Sequence, residues 1–292
     1  MIARYNTIEQ VKFLVESQGI DFEDYQIEHE RYYEAKDLAE RILETIGRIQ
    51  IVERAFLPNF IFGQNDIVVA LGQDGLVANT LKYLDGQLLI GVNPDPDRWD
   101  GILLPFRTKD LTLIVPETLN RGRPIKEVTM AQAKLNDGQL IYGVNDIFIG
   151  PRTHFSARYE IAVGEKIERH SSSGIIVSTG LGSTGWLTSL LAGATGIAAT
   201  LANKNLRLNQ TAQFDWNADY LYYTVREPFP SNVTQTDLVF GKITESKRMK
   251  LTSQMPENGV IFSDGIESDF LRFNAGTEAV ISIAEKRGRL VI

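Results

Sequence analysis

The chain has 292 residues, 43% hydrophobic and 23% charged, with a formal net charge of −7. That balance fits a globular chain of one large or two ordinary domains, and the acidic excess argues against non-specific nucleic-acid binding, which needs a basic face. Cysteine is absent, and His29, His154 and His170 have no i,i+4 pairing, which excludes disulfides and thiolate chemistry and counts against a histidine metal site.

The opening MIARYNTIEQVKF lacks the apolar core of a signal peptide. No apolar run reads as long enough to cross a bilayer, so a cytoplasmic protein without a membrane partner is the expectation. Thr7 and Gln10 make a capping-box pair ahead of Ile8, Val11 and Val15, and Gly19 closes this first helix. A second helix is expected from Asp24 to Ile46, with Leu38, Ile42 and Leu43 on its apolar side and Gly47 as its stop. Arg48–Glu53 alternates like a strand. Asp66–Leu71 reads as a buried strand, Leu76–Leu84 as a helix ended by Asp85-Gly86, and Gln87–Val92 as another apolar strand. Strand, helix, strand in this order points to a parallel sheet.

Beyond Phe106 the texture changes. Val128–Leu135, Gln139–Gly143, Arg158–Val163 and Lys166–Arg169 read as short strands, with hairpin turns at Asn136-Asp137-Gly138 and Gly164-Glu165. Only one strong helix is expected here, from Trp186 to Ala202, and the last third reads as nearly all β. The fold class expected is therefore an α/β N-terminal domain with a Rossmann-like parallel sheet, residues 1–107, followed by a β-rich C-terminal domain, residues 108–292. A doubly wound domain usually opens in a strand, whereas this chain opens in a helix.

Two glycine-bearing turns carry chemistry. Gly180, Gly182 and Gly185 spell G-x-G-x-x-G between the apolar strand Ile175-Ile176-Val177 and the expected helix. A dinucleotide fingerprint also needs an acidic residue about twenty positions on, and none stands between Glu168 and Asp215. Hydride chemistry is therefore disfavoured. The turn reads equally as a phosphate cradle, with backbone N–H groups helped by Ser183 and Thr184, and as a tight turn for packing. Gly72-Gln73-Asp74-Gly75 also joins a buried strand to a helix, and alone it reads as a turn with Asp74 capping the helix.

Taken together in order, Gly72-Gln73-Asp74-Gly75, Asn145-Asp146 and STGLGSTGW resemble the motifs of the NAD kinase family. The resemblance runs from about residue 66 to 270. It implies an α/β domain followed by a β-rich one, and ATP as phosphoryl donor with Mg²⁺ on its phosphates. By this resemblance Asp74 is the general base for the adenosine-ribose 2′-hydroxyl of NAD, and Gly72, Gln73 and Gly75 lie along the phosphates. Asn145 and Asp146 hold the acceptor nucleotide, and Ser183, Thr184 and Trp186 line its site. Asp264 matches a late Asp-Gly of the family. A homo-oligomer is implied by the same analogy.

The pattern also breaks. Gln73 stands where the family has a second glycine, Gly180-Leu181 replaces Pro-Thr, and Gly185-Trp186 replaces Ala-Tyr. Ser173 stands in place of an aspartate that contacts the dinucleotide. The loop GVNPDPDRWDG, residues 91–101, replaces a glycine-rich turn and brings Asp95, Asp97, Arg98, Trp99 and Asp100 towards the Asp74 loop. Two alternatives stay open: a kinase for a sugar, nucleoside or other small hydroxylated acceptor, and a nucleotide-binding protein without catalysis.

Overall fold

A computed structural model describes residues 7–203 and 213–292. Helix α1 (Ile8–Ser17) starts at Thr7, whose hydroxyl accepts the Gln10 N–H, and it ends at Gly19 with φ +74°. Helix α2 follows (Glu23–Ile46), then a 3₁₀ turn (Arg54–Asn59). The strand expected at Arg48–Glu53 does not form. The segment has no regular structure and no ladder partner, and Ile51 is exposed, so its alternation has no sheet to serve.

Strand β1 (Ile67–Leu71), helix α3 (Asp74–Tyr83) and strand β2 (Leu88–Asn93) form the expected unit, with β1 and β2 parallel from Ile67↔Leu88 to Leu71↔Val92. Both faces of this pair are covered, which is why each strand reads as an unbroken apolar run. Ala70 and Leu89 pack with Val77, Ala78 and Leu81 of α3, while Ile90 and Val92 pack with Ala39 of α2 on the opposite face.

A short β3 (Phe106–Arg107) leads to α4 (Leu111–Leu119), a helix the sequence reading did not anticipate. Its signal was present: Leu111, Ile114, Val115 and Thr118 recur at helical spacing and are all buried. Pro116, inside the helix, makes the run look like a strand or a break.

The strands that follow are β4 (Ile125–Leu135), β5 (Leu140–Gly143), β6 (Asp146–Pro151), β7 (Ala157–Val163), β8 (Lys166–Ser172) and β9 (Gly174–Ser178). Helix α5 (Trp186–Ala202) comes next, then β10 (Tyr220–Arg226), β11 (Phe240–Thr244), β12 (Met249–Ser253), β13 (Gly259–Ser263), β14 (Ile266–Arg272) and β15 (Glu278–Val291). One sheet has nine strands along the path β1-β2-β15-β12-β7-β8. The other has six, in the order β11-β10-β9-β6-β13-β14. Inward residues of both sheets, among them Ile147, Ile149, Ile161, Ile175 and Ile281, make the largest core. The α/β-then-β-rich architecture is therefore the observed one.

The parallel pair gains its neighbour from the far end of the chain. Strand β15 pairs with β12 near its start and, past a bulge between Ile283 and Arg287, lies parallel to β2 at Arg289↔Leu88 and Leu290↔Leu89. The last strand of the chain thus fills a place beside the N-terminal parallel pair.

Gly182–Ala202 is long and apolar enough, by length and composition, to cross a membrane, with mean hydropathy 1.3 and 6% of it buried. This corrects the reading that no such run exists. Glycine, alanine, serine and threonine dilute the apolar signal, but the segment holds no charged residue.

Candidate functional site

Residues within or beside the expected motifs share one apolar cluster. Val77 and Ala78 come from α3, which Asp74 begins. Leu103 and Leu104 come from the loop after β2. Val144 precedes Asn145, and Leu181 lies within the G-x-G-x-x-G turn, and all six are buried in the same cluster.

Asp74 is half-buried, and its carboxylate accepts the Ile102 N–H at 3.1 Å and the Leu103 N–H at 2.8 Å. It therefore clamps the loop after β2. Gly91 lets that loop approach, since a Cβ there would lie 1.9 Å from the Leu103 carbonyl oxygen. The Gly72 N–H donates to the Val92 carbonyl, so it is not free for a phosphate. Gln73 is exposed at the helix N-cap, and a Cβ on Gly75 would meet open space.

In the 91–101 loop two of the four charged residues are paired. Asp95 is buried and paired with Arg31 of α2 at 2.7 Å, and Arg98 pairs with Asp24 of the same helix. These contacts fasten the loop to α2.

The Asn145-Asp146 turn is built by two side chains. The Asp264 carboxylate accepts the N–H groups of Val144, Asn145 and Asp146, the shortest at 2.6 Å from Asn145. Asp264 has φ +55°, a conformation that Asp tolerates better than most residues. The Thr179 hydroxyl, fully buried, donates to the Val144 carbonyl at 2.5 Å and accepts the Gly182 N–H at 3.2 Å. Thr179 thereby ties the second turn to the third motif, and the sequence reading did not single it out. Gly182 completes the contact, because a Cβ there would fall 2.0 Å from the Asn145 carbonyl oxygen.

Asp146 is 9% exposed, and no side-chain hydrogen bond satisfies its carboxylate among the described residues. Burial first, and the Asp264 charge second, push it up to about 7. Asp264 is likewise pushed up by burial, against the N–H bonds and the Lys82 charge that pull it down.

The G-x-G-x-x-G turn is largely self-satisfied. The Ser183 N–H donates to the Gly180 carbonyl and the Gly185 N–H to the Gly182 carbonyl. Ser183 is buried and its hydroxyl donates to the Gly180 carbonyl at 2.6 Å, so it braces the turn. Thr184 is exposed. Trp186 is half-buried and stacks on Phe148 of β6, with centroids 6.0 Å apart and planes 10° from parallel.

Behind the site lies a second polar tie. Lys82 of α3 is buried and reaches Asp269 of β14 at 2.6 Å, and the Tyr83 hydroxyl donates to the same oxygen at 2.9 Å. The hairpin carrying Asp264 is thus joined to the helix carrying Asp74. No sequence signal marked Lys82, which looks like a last-turn helix lysine.

Among the described residues no group of three or more His, Asp or Glu side chains could hold a metal ion. A Mg²⁺ arriving on a donor's phosphates needs only one or two protein carboxylates, and Asp146, unlike Asp264, has oxygens not committed to backbone N–H groups.

The fold is that of the NAD kinases. A structure of an NAD kinase from Archaeoglobus fulgidus in complex with ATP matches with a TM-score of 0.57 at 15% identity, over 87% of this chain and 87% of that one. A structure of yeast NADH kinase complexed with NADH matches with a TM-score of 0.54 at 16% identity, over 78% of this chain and 61% of that one, so the match spans under two thirds of the yeast chain. No protein-family model and no curated protein matches the sequence.

Proposed function

We propose that this chain is a phosphotransferase of NAD kinase type, moving the γ-phosphoryl group of Mg-ATP to the adenosine-ribose 2′-hydroxyl of NAD. What supports the reading is that Val77 and Ala78 after Asp74, Val144 before Asn145 and Leu181 of the third motif pack in one cluster, in a fold shared with NAD kinases. Phosphoryl transfer asks little covalent chemistry of a protein: it needs aligned reactants, charge stabilisation and a carboxylate at the nucleophile. The acceptor oxygen forms a bond to the γ-phosphorus as the bridging P–O bond to ADP breaks, and Asp74 receives the hydroxyl proton. Asn145 and Thr184 face the acceptor in this reading.

The test is product formation from Mg-ATP with NAD, NADH and a panel of sugars and nucleosides. Asp74→Asn is expected to lower kcat about a hundredfold. Turnover unchanged by that substitution removes Asp74 from the chemistry. One observation favours a second assignment within the same reaction: both Asp74 oxygens already accept backbone N–H groups, whereas among the described residues no hydrogen bond occupies the Asp146 carboxylate, which burial and then the Asp264 charge push up to about 7. In that case Asp146 takes the proton and the Asp74 variant loses mainly substrate affinity.

Self-association belongs to the same proposal. Helix α5 carries no charge and buries only Leu187, leaving Ile197 65% and Leu201 82% exposed. Sedimentation equilibrium is expected to give a dimer or larger species, and Ile197→Lys with Leu201→Lys a monomer. A wild-type monomer refutes it.

A further inference from the structure

One buried residue organises the loop after β2. Asp95 is 5% exposed, and its N–H, its carbonyl and its carboxylate are all engaged. The N–H donates to Asn93 Oδ1 at 3.0 Å, and the carbonyl accepts the N–H groups of Arg98 at 3.1 Å and Trp99 at 3.0 Å. Asn93 Nδ2 donates in turn to the Trp99 carbonyl at 2.7 Å, which closes the loop on the strand it leaves. The Asp95 carboxylate has its partner outside the loop: Arg31 of α2 donates from Nη1 to Oδ1 at 2.7 Å and to Oδ2 at 2.9 Å. Arg98 adds a second hold on α2 through Asp24, but that pair lies at the surface, where salt screens it.

The far end of the same loop sets Asp74. Just past Trp99, the Ile102 N–H meets one carboxylate oxygen and the Leu103 N–H meets the other. Gly101 makes the approach with φ +61°, and a Cβ there would lie 2.8 Å from Asn93 Nδ2. Leu103 is buried, but Ile102 is 68% exposed, so packing does not hold the first of the two donors. One chain of contacts therefore runs from Arg31 through Asp95 to Trp99 and Asn93, and on to the N–H groups that orient Asp74. Neither Arg31 nor Asp95 belongs to the motifs that carry the family resemblance, and this loop is one of the places where that pattern breaks. The hold has a chemical consequence, because a reacting group misplaced by about 1 Å can cost about a hundredfold in rate.

We propose that Arg31 and Asp95 are positioning residues for Asp74, which makes helix α2 part of the site. The kinetic arm of the test rests on the phosphotransferase reading, and the exchange arm does not. Arg31 uses a single nitrogen on Asp95, so a lysine can take its place, whereas a methionine leaves the loop without its buried anchor.

Amide hydrogen exchange and turnover of the full chain test it. In Arg31→Met the Ile102 and Leu103 amides are expected to exchange about tenfold faster, with the Gly182 amide unchanged. The kcat/KM for phosphoryl transfer is expected to fall about tenfold. The same substitution added to Asp74→Asn is expected to cost less than about twofold, because the group it positions is already gone. Arg31→Lys is expected to retain most of the turnover. Arg31→Met strands the Asp95 charge, so Arg31→Met with Asp95→Asn supplies the folded comparison: a wild-type melting curve with exchange at Ile102 and Leu103 still fast. The proposal is overturned if the two amides keep wild-type exchange in that pair, if the loss from Arg31→Met adds in full to that of Asp74→Asn, or if Arg31→Lys is as impaired as Arg31→Met. A wild-type chain that transfers no phosphoryl group, with exchange at Ile102 and Leu103 faster in Arg31→Met, removes the phosphotransferase and leaves the positioning of Asp74 standing.

Discussion

Asp146→Asn is expected to stabilise the protein at pH 8 by on the order of 2–4 kcal/mol. In the folded state the carboxyl keeps its proton up to about 7, through burial and then the Asp264 charge, against an ordinary value of 3.8. Between those two values the folded chain holds a proton that the unfolded chain has released. Stability therefore falls as pH rises through this window and levels off above it. Asparagine has no such proton to keep, so the variant's advantage is greatest above pH 7 and shrinks to about 1 kcal/mol near pH 4.5. Urea-unfolding free energies of both proteins at pH 4.5, 6 and 8 read this directly, and parallel curves across the three would refute it. A residue that costs stability at neutral pH is held for another reason, and activity lost in the more stable variant would identify it.

Much of this fold was legible in the residues, but unevenly. The parallel β1–α3–β2 unit followed from apolar runs and turn glycines, because a strand buried on both faces leaves that plain mark. Helix α5 matched its expected ends, since Gly185 and Asn203 bound a run free of charge and proline. The segment at 48–53 misled because alternation is local, whereas a strand needs a partner elsewhere in the chain. The role of β15 could not be read at all: its pairing with β2 joins residues about two hundred positions apart.

The same divide runs through the site. The three motifs named the segments that meet, but residue type did not give side-chain employment. Ser183 reads as a ligand donor and is spent on Gly180. Asp264 reads as a weak motif match and organises three backbone N–H groups. Which hydroxyl or carboxylate is left over for chemistry depends on contacts made across the fold.

The pair between Lys82 and Asp269 makes the other large expectation, and its content is an asymmetry. Lys82 is 3% exposed and Asp269 38%. Asp269→Ala removes the partner of an ammonium group that has almost no water, and it also frees the Tyr83 hydroxyl. The expected loss is about 3–5 kcal/mol, the usual cost of leaving a buried charge alone. Lys82→Met leaves a carboxylate that still meets solvent and still accepts from Tyr83, with an apolar chain filling the same space, so the expected loss is below about 1 kcal/mol. Adding Lys82→Met to Asp269→Ala should therefore restore most of what the second substitution removes, a coupling that independent sites do not show. Acidity gives a second reading. Burial raises the Asp269 pKa, but the Lys82 hydrogen bond and charge, with Tyr83, outweigh it and hold the group below its ordinary value. Its contribution is present above the unfolded-state pKa and fades as pH falls through the folded one. Equal losses from the two single substitutions would mean that the ammonium reaches water once Asp269 is gone. The tie between the Asp74 helix and the Asp264 hairpin would then rest on packing alone.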